Sequence, residues 1–276
     1  MTDSFDLDAY LRRIGHEGPV APDLATLQAL VLRQASTIAF ENLDPFLGRA
    51  PRLDPGSLQA KLVSGGRGGY CFELNLLLRL ALRAIGFRVT CLAARVLWGQ
   101  PDDHMSARSH MLLRVDLDDG PRLADAGFGG QTPTAALRLD PDLEQATPHE
   151  PFRLVRAGGD LKLQARIGED WRSLYRFDQQ EQLPVDYEAA NWYLATHPQS
   201  HFVTGLSVAR VEPGRRHGLR DTELARHHMD GPTQRFTVKS APEMKTVLAE
   251  IFGLAVPYGP DLDRALARLF PAATTR

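Results

Sequence analysis

Residues 64 to 85 constrain the chain most. The stretch Ser64-Gly-Gly-Arg-Gly-Gly-Tyr-Cys-Phe-Glu-Leu-Asn75 packs four glycines into five positions and runs directly into leucines recurring at helical spacing from Leu74 to Leu82. Gly86 stands where a helix-ending glycine is expected. A flexible loop feeding straight into a helix places Cys71 at that helix's N-terminus, where the positive end of the dipole favours a thiolate, the form of cysteine that acts as a nucleophile. The glycines let the backbone pass close to a bound group without obstruction by Cβ. A buried structural cysteine is the plainer alternative for this fragment taken alone.

Elsewhere in the first third, helices are expected around Asp6–Ile14, Asp23–Ala35 and Ser57–Ser64, with Asp23 and Ser57 as N-cap types. After Gly86 the pattern changes to short β-branched and alternating runs: Phe87–Leu97, His110–Leu117, Pro121–Ala126, Phe152–Arg156, Leu161–Arg166 and Trp171–Phe177. Turns such as Asp118-Asp119-Gly120 and Gly158-Gly159-Asp160 separate them, which predicts antiparallel hairpins. From about Asn191 the signals mix, with strands near Ser207–Val211 and Arg235–Lys239 and helices over Ala241–Phe252 and Asp261–Leu269. The chain therefore reads as α+β, divided at 1–86, 87–190 and 191–276, without internal repeats.

Charge excludes some partners. The 34 acidic and 32 basic residues are interspersed and leave a net charge of -2, which is not the footprint of a nucleic-acid-binding protein. The N-terminal MTDSFDLDAYLRRI lacks the basic start and apolar core of a signal peptide, and the most apolar stretch, Leu74–Ile85, contains Arg79 and Arg83 and is too short to span a bilayer. Two cysteines, Cys71 and Cys91, are too few for a secreted disulfide framework, so a reduced, cytoplasmic setting is expected. Cys91, inside Val89-Thr-Cys-Leu-Ala-Ala, reads as a buried strand residue.

A thiol nucleophile needs a base, and the base an orienting carboxylate. His110 opens one strand and Asp125 closes the next, across the Asp118-Asp119-Gly120 turn. A two-residue loop at Asp118-Asp119 sets Asp125 opposite Leu112 and diagonal to His110 on one sheet face; a loop at Asp119-Gly120 keeps the face but lengthens the gap. Either register allows a thiolate–imidazolium pair whose tautomer the carboxylate fixes. His16, His104, His149, His217 and His227-His228 lack zinc-ligand spacing and read as surface residues, so no metal is expected. The loop Gly66-Arg-Gly68-Gly69 completes no nucleotide-binding pattern.

Together, Arg67-Gly-Gly-Tyr-Cys-Phe-Glu-Leu-Asn75, Ser109-His110 and Asp125-Ala-Gly-Phe-Gly129 resemble the three signature segments of the bacterial arylamine N-acetyltransferases. Phe40-Glu-Asn-Leu-Asp44 and His197-Pro-Gln-Ser-His-Phe202 extend the similarity into the last third. The resemblance implies a helical domain, an antiparallel β-barrel domain and a C-terminal α/β lid around a cysteine-protease-like catalytic core. It also implies a ping-pong reaction in which Cys71, with His110 and Asp125, takes acetyl from acetyl-CoA and passes it to an arylamine or arylhydrazine. By the same similarity Gly127, Phe128, Gly129, His201 and Phe202 would approach CoA, and Phe40 would line the acceptor pocket. Arg67 and Glu41 are expected to pair near the loop, and Glu73 to serve the helix start. The rival functions are an amide synthase of the same fold, a cysteine hydrolase, and a binding protein with an incidental triad.

Overall fold

In the computed structural model, which describes residues 5–270, the first third is helical for reasons written at its caps. Helix α1 (Leu7–Arg13) starts where the Asp6 carboxylate accepts from Ala9 N–H at 2.9 Å, and α2 (Leu24–Thr37) where Asp23 accepts from Thr26 N–H at 2.8 Å. A two-residue strand β1 (Phe40–Glu41) and a single turn α3 (Leu43–Phe46) follow. The expected cap at Ser57 is displaced to Asp54, whose carboxylate accepts from both the Ser57 amide and hydroxyl, at 2.9 and 2.8 Å. Pro55 explains the shift: its fixed φ and missing N–H suit the first helical position. The helix α4 (Pro55–Leu58) then continues as a π-helical segment, Gln59–Ser64.

Helix α5 (Cys71–Ile85) is the axis of the molecule's largest core. Residues 71–78 are buried without interruption, and the helix becomes two-faced only beyond them, where Arg79 and Arg83 turn outward. Leu74, Leu77, Leu78 and Leu82 are fully buried, each worth about 1.5–3 kcal/mol of transfer free energy. At the start, Glu73 accepts from Tyr70 N–H at 3.2 Å; at the end, Gly86 adopts φ 109° and donates to Leu82 O at 3.2 Å.

The middle third is an eight-stranded antiparallel sheet of β2 (Arg88–Val96), β3 (Arg108–Leu117), β4 (Gly120–Ala124), β5 (Leu137–Arg138), β6 (Glu144–Gln145), β7 (Phe152–Ala157), β8 (Asp160–Ile167) and β9 (Asp170–Phe177). Its spatial order is β5-β4-β3-β2-β9-β8-β7-β6. The sheet curls into a near-closed barrel around Leu92, Leu112, Leu123, Phe152, Leu163 and Tyr175. Its seam is spanned by a side chain rather than a ladder: the Gln145 carboxamide accepts from Arg138 N–H at 2.6 Å and donates to Arg138 O at 3.0 Å. The β3–β4 hairpin pairs Leu117 with Gly120, so the loop is Asp118-Asp119, the first of the two registers allowed by the sequence.

Helices α6 (Asp186–Thr196) and α7 (His201–Thr204) precede four strands, β10 (Ser207–Glu212), β11 (Arg215–Arg220), β12 (Glu223–His228) and β13 (Gln234–Thr237), then helices α8 (Ala241–Glu250) and α9 (Pro260–Ala267). The second sheet runs β1-β10-β11-β12-β13, with Phe40 opposite Ala209 and Glu41 opposite Val208. Ala39, Leu43 and Phe46 join Leu206, Val208, Leu219, Met244, Leu248 and Phe252 in its core. Residues 1–4 and 271–276, at the outer ends of the first and last divisions, lie outside the described residues. Among those described, no helix is long and apolar enough to cross a membrane.

Candidate active site

Three elements bring Cys71, His110 and Asp125 together: the N-terminus of α5, the start of β3 and the end of β4. All three side chains are buried, Asp125 completely. His110 Nε2 lies 2.7 Å from Asp125 Oδ2, which leaves Nδ1 as the ring nitrogen for the Cys71 thiol. The sulfur also lies 3.7 Å from the Ser109 carbonyl oxygen. Burial works against a charged imidazole. Asp125 and the Cys71 sulfur outweigh it, raising the His110 pKa to about 10.

Asp125 is held on every side. Oδ2 also accepts from Tyr175 Oη–H at 3.0 Å, and Oδ1 accepts from Asn75 Nδ2 and Gly127 N–H, both at 2.9 Å. Burial alone would raise this carboxyl's pKa, yet His110 and the hydrogen bonds from Asn75 and Gly127 hold it below the usual value. Tyr175 shifts the other way, raised by burial and by Asp125 itself, so it remains a donor.

Local irregularities make this convergence possible. Ala94 pairs with His110 but Arg95 with Arg108, leaving Ser109 as a bulge beside the imidazole. Leu163 pairs with Tyr175 but Gln164 with Ser173, leaving Leu174 as a second bulge beside the phenol. Bulges re-aim neighbouring side chains, and each here sits next to a partner of Asp125. Gly127 is required by closeness: a Cβ there would lie 2.9 Å from Asn75 Nδ2 and 3.0 Å from Cys71 Cα. Beneath the glycine loop, Arg67 bonds Glu41 at 2.7 Å as expected, and Lys61 bridges Asp44 and Glu73 at 2.6 and 2.7 Å.

The thiol and imidazole open into a cavity of about 1210 Å³ whose wall also includes Phe40, Gly127, Phe128, Gly129, His201 and Phe202. Asp125 stands behind His110, off the wall. Phe40 and Phe202 have ring centroids 6.0 Å apart, and Phe128 meets His110 edge-on at 5.0 Å. The turn bearing His201 and Phe202 is pinned by Asn42, whose Nδ2 donates to Phe202 O at 2.8 Å and Gly205 O at 2.7 Å and whose Oδ1 accepts from Ser207 N–H at 2.7 Å. Burial, with a smaller contribution from Arg220, lowers the pKa of His201.

Strands β11–β13 supply a further part of the wall, including Arg216, His217, Arg220, His227 and Arg235, and the loop after β2 adds Trp98 and His104. His217 corrects the expectation of surface histidines, being only 3% exposed beneath the second sheet. His149 departs from it too, with Nε2 at 2.9 Å from Glu212 O and Nδ1 at 3.1 Å from Thr134 Oγ1. Among the described residues no group of three or more metal-ligating side chains converges. The sequence reasoning missed Asn75, Tyr175 and Asn42. Asn75 is recoverable, because four residues after Cys71 is the same helix face; Asn42 lies within the segment Phe40-Glu-Asn-Leu-Asp44 singled out above, and no local signal marks Tyr175.

A family model described as N-acetyltransferase matches residues 23–260. The arylamine N-acetyltransferase of Mycolicibacterium smegmatis is 44% identical over 255 residues, covering 91% of this chain and 92% of that one. The chain belongs to the arylamine N-acetyltransferase family. A Salmonella typhimurium member, an arylamine N-acetyltransferase / N-hydroxyarylamine O-acetyltransferase, is 40% identical over 251 residues, covering 91% of this chain and 89% of its own. Family members also share the fold. The Mycobacterium marinum enzyme solved in complex with CoA superposes with TM-score 0.92 at 39% identity, covering 96% of this chain and all of that one.

Proposed function

We propose that this family member transfers acetyl from acetyl-CoA to arylamines and arylhydrazines through a thioester on Cys71, with His110 as proton carrier and Asp125 as its orienting carboxylate. The observation that carries the reading is the unbroken contact chain from Asp125 through His110 to a sulfur on the cavity wall. In the resting site His110 holds the thiol's proton, and the thiolate attacks the acetyl carbonyl of acetyl-CoA. Cys71 N–H, at the helix start, makes no hydrogen bond among the described residues and supplies an oxyanion donor. Collapse of the tetrahedral adduct breaks the bond to CoA sulfur, which leaves with the proton from His110.

Acetylation removes the Cys71 charge and hydrogen bond, which are among the influences that hold the imidazole protonated. The neutral ring is then the base for the second half-reaction. An arylamine attacks the thioester, His110 Nδ1 takes the N–H proton, and the Cys71 thiolate departs to restore the ion pair. Amide formation from a thioester runs downhill, and a weakly basic aromatic amine arrives unprotonated.

The cavity chemistry suits both substrates. Phe40, Phe128 and Phe202 offer aromatic surface for the acceptor, while Gly127 and Gly129 allow close backbone approach by the donor. His201 stands beside Arg220, and neither Arg220 nor Arg235 makes an ion pair among the described residues, so both are available for CoA phosphates. We assign residues 1–86, 87–190 and 191–276 as the helical, barrel and lid units, and place the reaction in the cytoplasm.

Arg220→Gln with Arg235→Gln is expected to raise KM for acetyl-CoA about tenfold or more. The rate with p-nitrophenyl acetate, a donor without phosphates, should stay unchanged. Equal losses with both donors would remove the two arginines from donor binding. The function itself is tested by single turnover of isolated acetyl-enzyme: slow decay in buffer, and rapid acetamide formation on adding an arylamine such as anisidine. Acetate released at one rate with or without amine would make the protein a hydrolase instead.

A further inference from the structure

A second cavity, of about 360 Å³, lies on the outer side of α5 and shares no lining residue with the first. Arg79 and Arg83, one turn apart on the helix face that leaves the core, converge there with Arg88 from β2. Arg79 Nε is screened from solvent yet has no hydrogen-bond partner. None of the three arginines forms an ion pair among the described residues, whereas Arg108, Arg114 and Arg176 of the neighbouring sheet pair with Asp178, Asp116 and Asp160. Glu181 is the one carboxylate in the lining, leaving a local surplus of two positive charges in a chain whose net charge is -2.

Glu181 offsets one of the three charges, and the exposed Arg83 and Arg88 guanidinium groups can be reached from solvent. Their planar forks match oxyanions two oxygens at a time. Phe87, Leu183 and Pro184 add an apolar flank, and the volume is equivalent to about a dozen waters, enough for a small organic body and too small for a nucleotide cofactor. We infer that this cavity is a second ligand site, taking a small organic molecule that carries a doubly charged oxyanion, either a phosphate ester or a dicarboxylate. The site is built on the helix that begins at Cys71, with Arg79 about 12 Å further along its axis.

The test is calorimetric titration of the full chain with citrate and with pyrophosphate, in the presence of saturating CoA so that the first cavity is filled. One equivalent of at least one probe should bind with Kd of about 1 mM or tighter, weakening with salt. Arg79→Gln with Arg83→Gln should weaken that binding about tenfold or more, while acetylation of Cys71 by acetyl-CoA stays at the wild-type rate. Arg83→Gln alone, at an exposed position, should give an intermediate loss and keeps the test independent of any folding defect. Preference for pyrophosphate identifies a phosphate ligand and preference for citrate a carboxylate. Absence of binding by both probes, or affinity unchanged in the double variant, would overturn the proposal.

Discussion

Cys71→Ala should leave no acetyl adduct after mixing with acetyl-CoA and should lower arylamine acetylation by on the order of 10⁶, the scale of losing a nucleophile that works as a unit with its base. Intact-protein mass spectrometry reads the first effect and steady-state turnover the second. The contrast with Cys91 makes this specific. Cys91 is buried in β2, 3% exposed, and burial raises its thiol pKa, with neither a helix start nor an imidazole beside it. Cys91→Ala should therefore acetylate normally at Cys71. An adduct found on Cys91, or transfer surviving in Cys71→Ala, would end the proposed mechanism.

Asp125→Asn should cost on the order of 10⁴ in the acylation rate, the loss that tautomer reversal produces in a serine triad. The four donors around the carboxylate explain why an isosteric change is so damaging. An asparagine can keep its one oxygen toward Asn75 and Gly127 N–H, but its amide NH₂ then faces His110 Nε2 and Tyr175. The ring must accept at Nε2 and carry its proton on Nδ1, where the thiol needs a base. In wild type, ¹⁵N resonances of His110 should remain those of imidazolium until pH approaches about 10, and in Asp125→Asn the titration should move well down. An unmoved titration, or an unchanged acylation rate, would remove Asp125 from its assigned role.

The same pair makes stability depend on pH, with signs fixed by the shifts. His110 binds its proton more tightly folded than unfolded. Its contribution is complete below the unfolded value of about 6.5 and is lost as pH rises through about 10. Asp125 is depressed, so its contribution is present above the unfolded value of about 3.9 and is lost as pH falls through the folded one.

Much of this was legible in the sequence because its causes are local. The glycine run, the helix start at Cys71 and the capping residues Asp6, Asp23 and Gly86 are short-range signals. The hairpin placed Asp125 near His110 in either register. Strands β11 and β12 were not legible, since Arg215-Arg-His-Gly-Leu-Arg220 and Glu223-Leu-Ala-Arg-His-His228 present charged side chains to the cavity wall instead of an apolar alternation. The bulges at Ser109 and Leu174, and the contact of Tyr175 with Asp125 across 50 residues, are products of tertiary packing and have no local signature.

The pairing of β1 with β10 bears on how the protein is made. Glu41 meets Gly69 early, its N–H donating to Gly69 O at 3.0 Å, but its antiparallel ladder partner is Val208, and the Asn42 carboxamide donates to Phe202 O and Gly205 O, so a growing chain leaves these later contacts unmade while the whole barrel is synthesised. At about 5–20 residues per second that interval is roughly ten to thirty seconds. Through it, the glycine loop and Cys71 exist without the turn that later roofs the cavity. A chain truncated before Ser200 should therefore lack both this turn and the Phe202 ring beside Phe40, and its Cys71 thiol should alkylate with iodoacetamide faster than that of the full chain.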